Sequence, residues 1–214
     1  MKTQDSASQA AMTPAAARRM LEEGNARFVQ QQMTSRDLAA QVAATTGGQW
    51  PFAAILGCID SRVPPELVFD QGLGDLFSVR IAGNFANEDI LGSLEFACKV
   101  AGSKLVVVLG HRSCGAVKGA CDGVELGNLT AMLGKLRPAV DAVTEPADPA
   151  QRTSGNGDFV QAVAECNVHR TVAAIRAQSE VLRELESAGG IAIVGAMYDI
   201  ATGAVTFLEE GAGG

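Results

Sequence analysis

Three side chains that commonly ligate zinc stand at two places in the sequence. Cys58 directly follows one apolar run, and His111 and Cys114 follow another, three residues apart. Thiolate sulfur and imidazole nitrogen suit Zn²⁺, and three protein ligands leave a fourth position for water or substrate. The chain has only two histidines, so a histidine three residues before a cysteine is less expected by chance than in a histidine-rich chain. The alternative interpretation is that both cysteines are small buried apolar residues and that His111 is an ordinary loop histidine.

An acidic and a basic side chain follow the first cysteine, in the segment Cys58-Ile-Asp-Ser-Arg62. In a turn that leaves a strand, alternate residues can share one side, so the Asp60 carboxylate and the Arg62 guanidinium can form a bidentate pair. On an open surface such a pair contributes at most about 1 kcal/mol. Beside a metal, Arg62 would keep Asp60 ionised, ready to accept a proton or a hydrogen bond from metal-bound water.

Alternating apolar runs and helical patterns predict the elements that position these residues. Runs at 52–57, 76–82, 104–110 and 191–197 are mainly apolar and do not alternate cleanly, as in parallel strands covered by helices on both faces. Helical patterns occupy 14–32, 88–102, 126–140 and 158–187, and Ser179 lies on the apolar face of the last; residues 33–48 are ambiguous. A run at 204–208 follows a turn and should pair antiparallel with its predecessor. The chain is therefore predicted to be α/β, with the candidate ligands at the carboxyl ends of strands.

Composition narrows the classes of function. The formal net charge is −7, which disfavours nucleic acid as a partner, and no apolar run is long enough to span a membrane. The polar N-terminus lacks the apolar core of a secretory signal, and an odd number of cysteines, five, does not suggest a disulfide scaffold. We therefore expect a cytoplasmic protein with a flexible tail at 1–12 and a single domain at 13–214.

The pattern Cys58-x-Asp60-x-Arg62, followed by His111-x-x-Cys114-Gly115, resembles the β-class carbonic anhydrases. The likeness extends from about residue 23 to residue 199 and includes the family-like segments 60–64, 70–75 and 109–116. The resemblance implies a four-stranded, mainly parallel sheet with an added antiparallel strand, helices on its faces and an N-terminal helical arm. It also implies a homodimer, or a homotetramer built as a dimer of dimers, with active sites at the subunit interface.

The resemblance assigns roles to individual residues. One Zn²⁺ per subunit would be held by Cys58, His111 and Cys114, and Asp60 and Arg62 would be the catalytic pair. The residues expected to bind carbon dioxide or bicarbonate are Gln49, which would reach the neighbouring subunit's site, then Phe77, Ala82 and Phe96 as apolar walls, and Gly115.

Members of this family differ in how their activity is regulated. In some relatives the aspartate moves onto the metal in an inactive, closed state, and those with a bicarbonate regulatory site have a tryptophan three residues before the first cysteine. Here that position is Ile55, although Arg80 and Tyr198 match other parts of the regulatory site. We expect an open site, with Asp60 a ligand only in a closed state.

The expected reaction is the reversible hydration of carbon dioxide to bicarbonate and a proton, which would make the protein a zinc lyase. Zn²⁺ lowers the pKa of bound water toward about 7, and the resulting hydroxide, oriented by the Asp60–Arg62 pair, would attack carbon dioxide. One alternative is a hydrolase of carbon disulfide or carbonyl sulfide on the same fold. Another is a non-enzymatic domain that zinc stabilises, although structural zinc sites usually have four protein ligands.

Overall fold

A single five-stranded sheet organises the chain in the computed structural model, which describes residues 3–209. Its strands are β1 (Ala53–Gly57), β2 (Leu76–Arg80), β3 (Leu105–His111), β4 (Ala192–Tyr198) and β5 (Val205–Phe207). The spatial order is β2-β1-β3-β4-β5, with parallel pairing from β2 to β4 and antiparallel pairing between β4 and β5. This confirms the α/β prediction of four mainly parallel strands with one antiparallel addition.

Helices cover both faces of the sheet. They are α1 (Ser6–Ala10), α2 (Pro14–Val29), α3 (Leu38–Thr45), α4 (Pro65–Val68), α5 (Glu88–Glu95), α6 (Gly115–Cys121), α7 (Gly127–Gly134), α8 (Arg137–Ala142), α9 (Gly157–Gln178) and α10 (Glu180–Ser187). All residues of β1 and β3 are buried, because α5, α6, α8 and α9 pack on one face and α2 and α4 on the other. Continuous apolar runs are the expected sequence of such doubly covered strands.

Two predicted helices are interrupted in the structure. The helix expected at 158–187 breaks at Ser179, which ends α9 and caps α10 by accepting a hydrogen bond from the Leu182 amide. Ser179 therefore does not lie on the apolar face of one continuous helix, because serine competes well for the capping position. The pattern at 126–140 divides into α7 and α8, and Pro138, which lacks an amide donor, stands in the first turn of α8.

The predicted helix at 88–102 has a change of winding. Its first part is α5, and residues Phe96–Val100 continue as one π-helical turn. Periodicity over so short a stretch does not distinguish the two windings. The ambiguous segment 33–48 contains α3, which Asp37 caps through the Ala40 amide.

Part of the segment expected to be a flexible tail has regular structure. Asp5 and Ser8 form a capping box at the start of α1. The buried Gln9 side chain donates hydrogen bonds of 2.8 Å to the carbonyls of both Pro51 and Ala101. These bonds hold residues 5–10 against the amino-terminal end of the sheet. Residues 1 and 2 of the predicted tail, and 210–214 of the predicted domain, lie outside the described residues.

The predicted N-terminal helical arm corresponds to α2. Thr13 caps it and Pro14 occupies its first turn, as the sequence indicated. Ala17 and Leu21 are fully buried against the sheet. Between residues 3 and 209, the structure contains no helix with both the length and the apolar character needed to cross a bilayer.

Candidate metal centre

The two adjacent central strands bring the three predicted ligands together. β1 and β3 are parallel neighbours, so Cys58, just after β1, and His111, the last residue of β3, lie at the same edge of the sheet. Ser113 has a left-handed backbone conformation (φ 55°) in the tight turn that returns Cys114 to the N-cap of α6. The candidate ligand atoms of Cys58, His111 and Cys114 all lie within 4.8 Å of one another.

The spacing of these atoms suits a tetrahedral zinc ion. The two sulfur atoms are 3.9 Å apart. With zinc–sulfur bonds of about 2.3 Å, tetrahedral angles place two thiolates about 3.8 Å apart. Two sulfur atoms and one imidazole nitrogen, all buried, are a typical donor set for zinc.

His111 presents an unpaired nitrogen to this cluster. Its Nδ1 lies 2.9 Å from the Arg112 carbonyl oxygen, which can only accept, so we assign the ring proton to Nδ1. The fully buried Nε2 has no hydrogen-bond partner among residues 3–209, and its lone pair is free to bind a cation. A hydrogen bond that fixes the tautomer of a ligating histidine in this way is usual at metal sites.

The two thiols are electrostatically coupled. A hydrogen bond from the Cys114 thiol lowers the pKa of Cys58 against the opposing effect of burial, and the hydrogen bond from the Gly83 amide lowers it further. The same contact with Cys58, together with burial, raises the pKa of Cys114. The pair therefore behaves as two sulfur atoms that share one proton, which a bound cation would displace.

The Asp60–Arg62 pair forms as predicted, beside the cluster. Arg62 donates from Nε to Asp60 Oδ1 at 2.9 Å and from Nη2 to Oδ2 at 2.7 Å. These side-chain bonds, assisted by the Arg62 amide, hold the pKa of Asp60 well below its usual range despite partial burial. Asp60 Oδ2 lies 3.9 Å from His111 Nε2, so an ionised carboxylate faces the three ligands.

Strand β2 holds the loop that carries Cys58 and Asp60. Arg80, its last residue, donates from Nε to the Cys58 carbonyl at 2.8 Å and from Nη2 to the Asp60 carbonyl at 2.6 Å. Just beyond the strand, the Gly83 amide donates to Cys58 Sγ at 3.5 Å. From the sequence, Arg80 is recognisable only as part of a regulatory site and Gly83 not at all, because an interaction made by a backbone amide leaves no side-chain signature.

The predicted apolar walls are only partly assembled within one chain. Phe77 and Phe96 make an edge-to-face contact, with ring centroids 6.2 Å apart, and border a cavity of about 800 Å³ beside β2. Phe96 remains 52 % exposed. Ala82 is half-buried and lies in the loop after β2, directly before Gly83. Gly115 begins α6 next to Cys114 and has open space where a Cβ would stand.

The chain does not bring Gln49 to its own ligand cluster. Gln49 precedes β1 and borders a separate cavity with Val42 and Leu73. The ligands lie at the opposite, carboxyl end of β1, and its five residues span about 16 Å.

Comparisons with known proteins show what the whole chain is similar to. A family model described as "Carbonic anhydrase" matches residues 53–205. Carbonic anhydrase 2 of Mycobacterium tuberculosis is 43 % identical over 194 residues, which cover 89 % of this chain and 90 % of that protein. The carbonic anhydrase of Mycolicibacterium smegmatis is 40 % identical over 193 residues, with coverages of 90 % and 92 %.

Solved structures show a similar fold. A β-carbonic anhydrase of the fungus Aspergillus fumigatus superposes with a TM-score of 0.70 at 26 % identity, covering 93 % of this chain and 92 % of that one. A β-carbonic anhydrase of Coccomyxa, solved in complex with acetazolamide, gives a TM-score of 0.69 at 25 % identity, covering 87 % and 83 %. A tetrameric β-carbonic anhydrase of Sordaria macrospora gives 0.65 at 25 % identity, covering 79 % and 90 %.

Proposed function

This chain belongs to the β-class carbonic anhydrase family, and on that premise we propose that Cys58, His111 and Cys114 hold the Zn²⁺ at which it interconverts carbon dioxide and bicarbonate. The observation that carries the zinc assignment is the convergence of three ligand atoms within 4.8 Å, one of them a buried and unpartnered Nε2. The open fourth position favours a catalytic over a structural ion.

Bound zinc would supply a hydroxide nucleophile near neutral pH by lowering the pKa of water. The task of Asp60 is then to accept the remaining hydrogen of that nucleophile, through the Oδ2 atom that lies nearest to His111 Nε2. Arg62 keeps this carboxylate ionised and fixes both of its oxygens. An ionised carboxylate can only accept, so a nucleophile hydrogen-bonded to Asp60 would keep its lone pairs free for the substrate.

Carbon dioxide offers little for a protein to bind, so the walls of the site contribute mainly position. Phe77, Phe96 and Ala82 provide apolar surface on the β2 side of the domain. The open space beside Gly115 leaves room for a small substrate close to Cys114. Gln49 would donate a hydrogen bond to bicarbonate in the site of a neighbouring subunit, which fits its position at the far end of β1.

The geometry of Asp60 supports an open site. Both of its oxygens accept hydrogen bonds from Arg62, so neither is committed to the position of a fourth ligand. Arg80 likewise donates from Nε and Nη2 to the Cys58 and Asp60 carbonyls, and Ile55 is fully buried in the core. We propose that Asp60 would ligate the metal only if its pairing with Arg62 were broken.

Assembly and location complete the proposal. A homodimer or a dimer of dimers would cover the half-exposed Phe96 and bring Gln49 to a second site. All five cysteines are unpaired, which fits a reducing compartment such as the cytoplasm. No role in binding nucleic acid or a membrane is proposed for a chain of net charge −7.

Elemental analysis combined with a stopped-flow pH-indicator assay tests this function. We expect one zinc per chain and rapid acidification when carbon dioxide is mixed with the purified enzyme. Two results would contradict the proposal: hydration that persists after complete removal of zinc, or a zinc-loaded protein that hydrolyses carbon disulfide or carbonyl sulfide but leaves carbon dioxide unchanged.

A further inference from the structure

A chain of two hydrogen bonds connects the interior of α9 to the sulfur of Cys58. The Asn167 side chain donates from Nδ2 to the Gly83 carbonyl at 2.8 Å. The amide of the same Gly83 donates to Cys58 Sγ at 3.5 Å, an ordinary length for an N–H···S bond. Asn167 is a buried side chain, only 4 % exposed, that anchors the residue contacting the candidate metal ligand.

The backbone at Gly83 requires support from outside its own loop. Its φ of +82° lies in the left-handed region, which glycine adopts without steric cost. A Cβ at this position would lie 2.7 Å from Leu136 Cδ1, so the loop packs closely against the helical layer. The Gly83 amide and carbonyl belong to consecutive peptide groups joined at the Cα, and the hydrogen bond to the carbonyl together with the close packing against Leu136 restricts the orientation of the amide.

Asn167 is an unusual residue for its position. It lies on the face of α9 where Val163, Ala164 and Val168 pack into the apolar core. Burying a side-chain amide without a partner costs roughly 1–3 kcal/mol, a cost that an apolar side chain would not have. The hydrogen bond from Asn167 to the Gly83 carbonyl offsets this cost. The purpose visible in the structure is the fixed orientation of Gly83.

We propose that Asn167 is a positioning residue for catalysis, which aims the Gly83 amide at Cys58 and so tunes that sulfur as a zinc ligand. The inference rests on the proposed function, in which Cys58 binds zinc. An N–H···S bond withdraws electron density from a thiolate and restrains its direction. Two thiolates donate much charge to zinc, and a donor that moderates one of them favours a more acidic metal.

The test compares Asn167→Leu with wild type and with Ile175→Val as a matched control. Leucine has the same branching and the same number of side-chain heavy atoms as asparagine but no donor, and the adjoining cavity of about 770 Å³, which Asn167 lines with Phe85, gives room for its larger volume. Ile175 is fully buried on the same helix and belongs to the same core cluster, so its truncation perturbs packing with the Asn167 donor left in place. Thermal melting establishes that each variant folds.

Two measurements report on the metal ligand independently of turnover. In the cobalt-substituted proteins, loss of the N–H···S bond raises the energy of the sulfur lone pairs, so the thiolate-to-cobalt charge-transfer band of Asn167→Leu should move to longer wavelength. In the zinc proteins, Cys58 loses the restraint on its direction, and this should outweigh its stronger donation, so transfer of zinc to a chromophoric chelator should be about tenfold faster, the lower end of the loss of metal affinity expected when an outer hydrogen bond is removed. Ile175→Val should match wild type in both.

A folded Asn167→Leu protein with an unshifted band and wild-type zinc release would overturn the proposal, as would equal changes in Ile175→Val. If Asn167→Leu does not fold, Asn167→Ala removes the same donor with a smaller side chain, and the same shift is expected from it. Failure of the underlying function is distinguishable, because wild type itself would then bind no zinc and give no charge-transfer band.

Discussion

Asp60 and Arg62 should matter far more for the reaction than for folding. Their pair lies at the surface, with the Arg62 side chain 52 % exposed, so solvent screens the attraction and the pair adds little to the stability of the fold. We expect Asp60→Asn and Arg62→Ala to keep their zinc and their melting temperature but to lose hydration activity about 100-fold or more, as when a positioned proton acceptor is removed. Stopped-flow turnover with zinc content tests this; near-normal turnover in either variant would refute the assigned roles.

Cysteines offer a matched comparison at the same scale. Cys58→Ser should lose zinc, because a serine hydroxyl is a poor substitute for a thiolate ligand. Cys98→Ser should retain it: Cys98 is also buried, but burial raises its pKa to about 12 and it lies in the π-helical turn rather than in the cluster. Elemental analysis distinguishes the two, and unchanged zinc in Cys58→Ser would count against ligation.

The buried carboxylate of Asp70 ties helical elements together and should make their stability depend on pH. Arg27 at the end of α2 and Arg36 before α3 both pair with it, and the Thr34 amide donates to it as well. Burial alone would raise the pKa of Asp70, but these hydrogen bonds outweigh it and lower the pKa to about 2. The cluster thereby anchors the segment between α2 and α3 to the loop after α4.

A pKa below the value in the unfolded chain means that unfolded Asp70 binds protons first as pH falls. The cluster's contribution, roughly 2 kcal/mol, is therefore present above about pH 4 and lost as pH drops toward about 2. Asp70→Asn should be less stable at neutral pH, and its stability should decline less over that window. Denaturant titrations of both proteins from pH 5 to pH 2 measure the difference. If the free energies of unfolding of the two proteins changed with pH in parallel, the role assigned to the Asp70 cluster would be contradicted.

Elements with strong patterns were predictable from the sequence, whereas local exceptions were not. All five strands follow from apolar runs, most clearly β1 and β3, because parallel strands buried on both faces leave few polar positions to obscure them. The break at Ser179 is a competition between helix continuation and a side-chain cap, and the capping contact is visible only with the fold in place. The division of the chain into a tail at 1–12 and one domain stays a prediction, although α1 gives part of that tail regular structure.

The same distinction holds within the site. The candidate ligands and the Asp60–Arg62 pair could be proposed from the sequence because their side chains carry the chemistry and together they match the motifs of a known family. Backbone groups mediate the hydrogen bonds of Arg80, Gly83 and Asn167. Every residue has a backbone carbonyl, and every residue except proline has a backbone N–H, so the sequence does not show which of them make such bonds. Their contributions appear only once β2, the loop after it and α9 have been placed around Cys58.

At the scale of the whole molecule, Gln49 predicts that the active unit contains more than one chain. Its position at the amino end of β1 separates it from the ligands of its own chain, so Gln49→Ala should act on a neighbour. Cys58→Ser and Gln49→Ala chains carrying different tags can be co-expressed and purified through both tags. In the mixed dimer, the zinc-binding chain receives Gln49 from its partner, and activity should exceed the mean of the two parent proteins.

The control for this experiment is Gln32→Ala, which alters an exposed glutamine in the loop after α2. Gln32→Ala should be fully active alone. When it is mixed with Cys58→Ser, the activity should equal the mean of the two parent proteins. Activity of the Cys58→Ser and Gln49→Ala mixture equal to the mean of its parents would contradict contact between Gln49 and a second site.

The X-ray absorption spectrum of the purified protein at the zinc edge tests the ligand set most directly. We predict two sulfur atoms at about 2.3 Å and two nitrogen or oxygen atoms at about 2.0–2.1 Å. One of these two lighter atoms would be the His111 nitrogen and the other a solvent oxygen. A spectrum with fewer than two sulfur ligands, or one that is unchanged in Cys58→Ser, would contradict a zinc ion held by Cys58, His111 and Cys114.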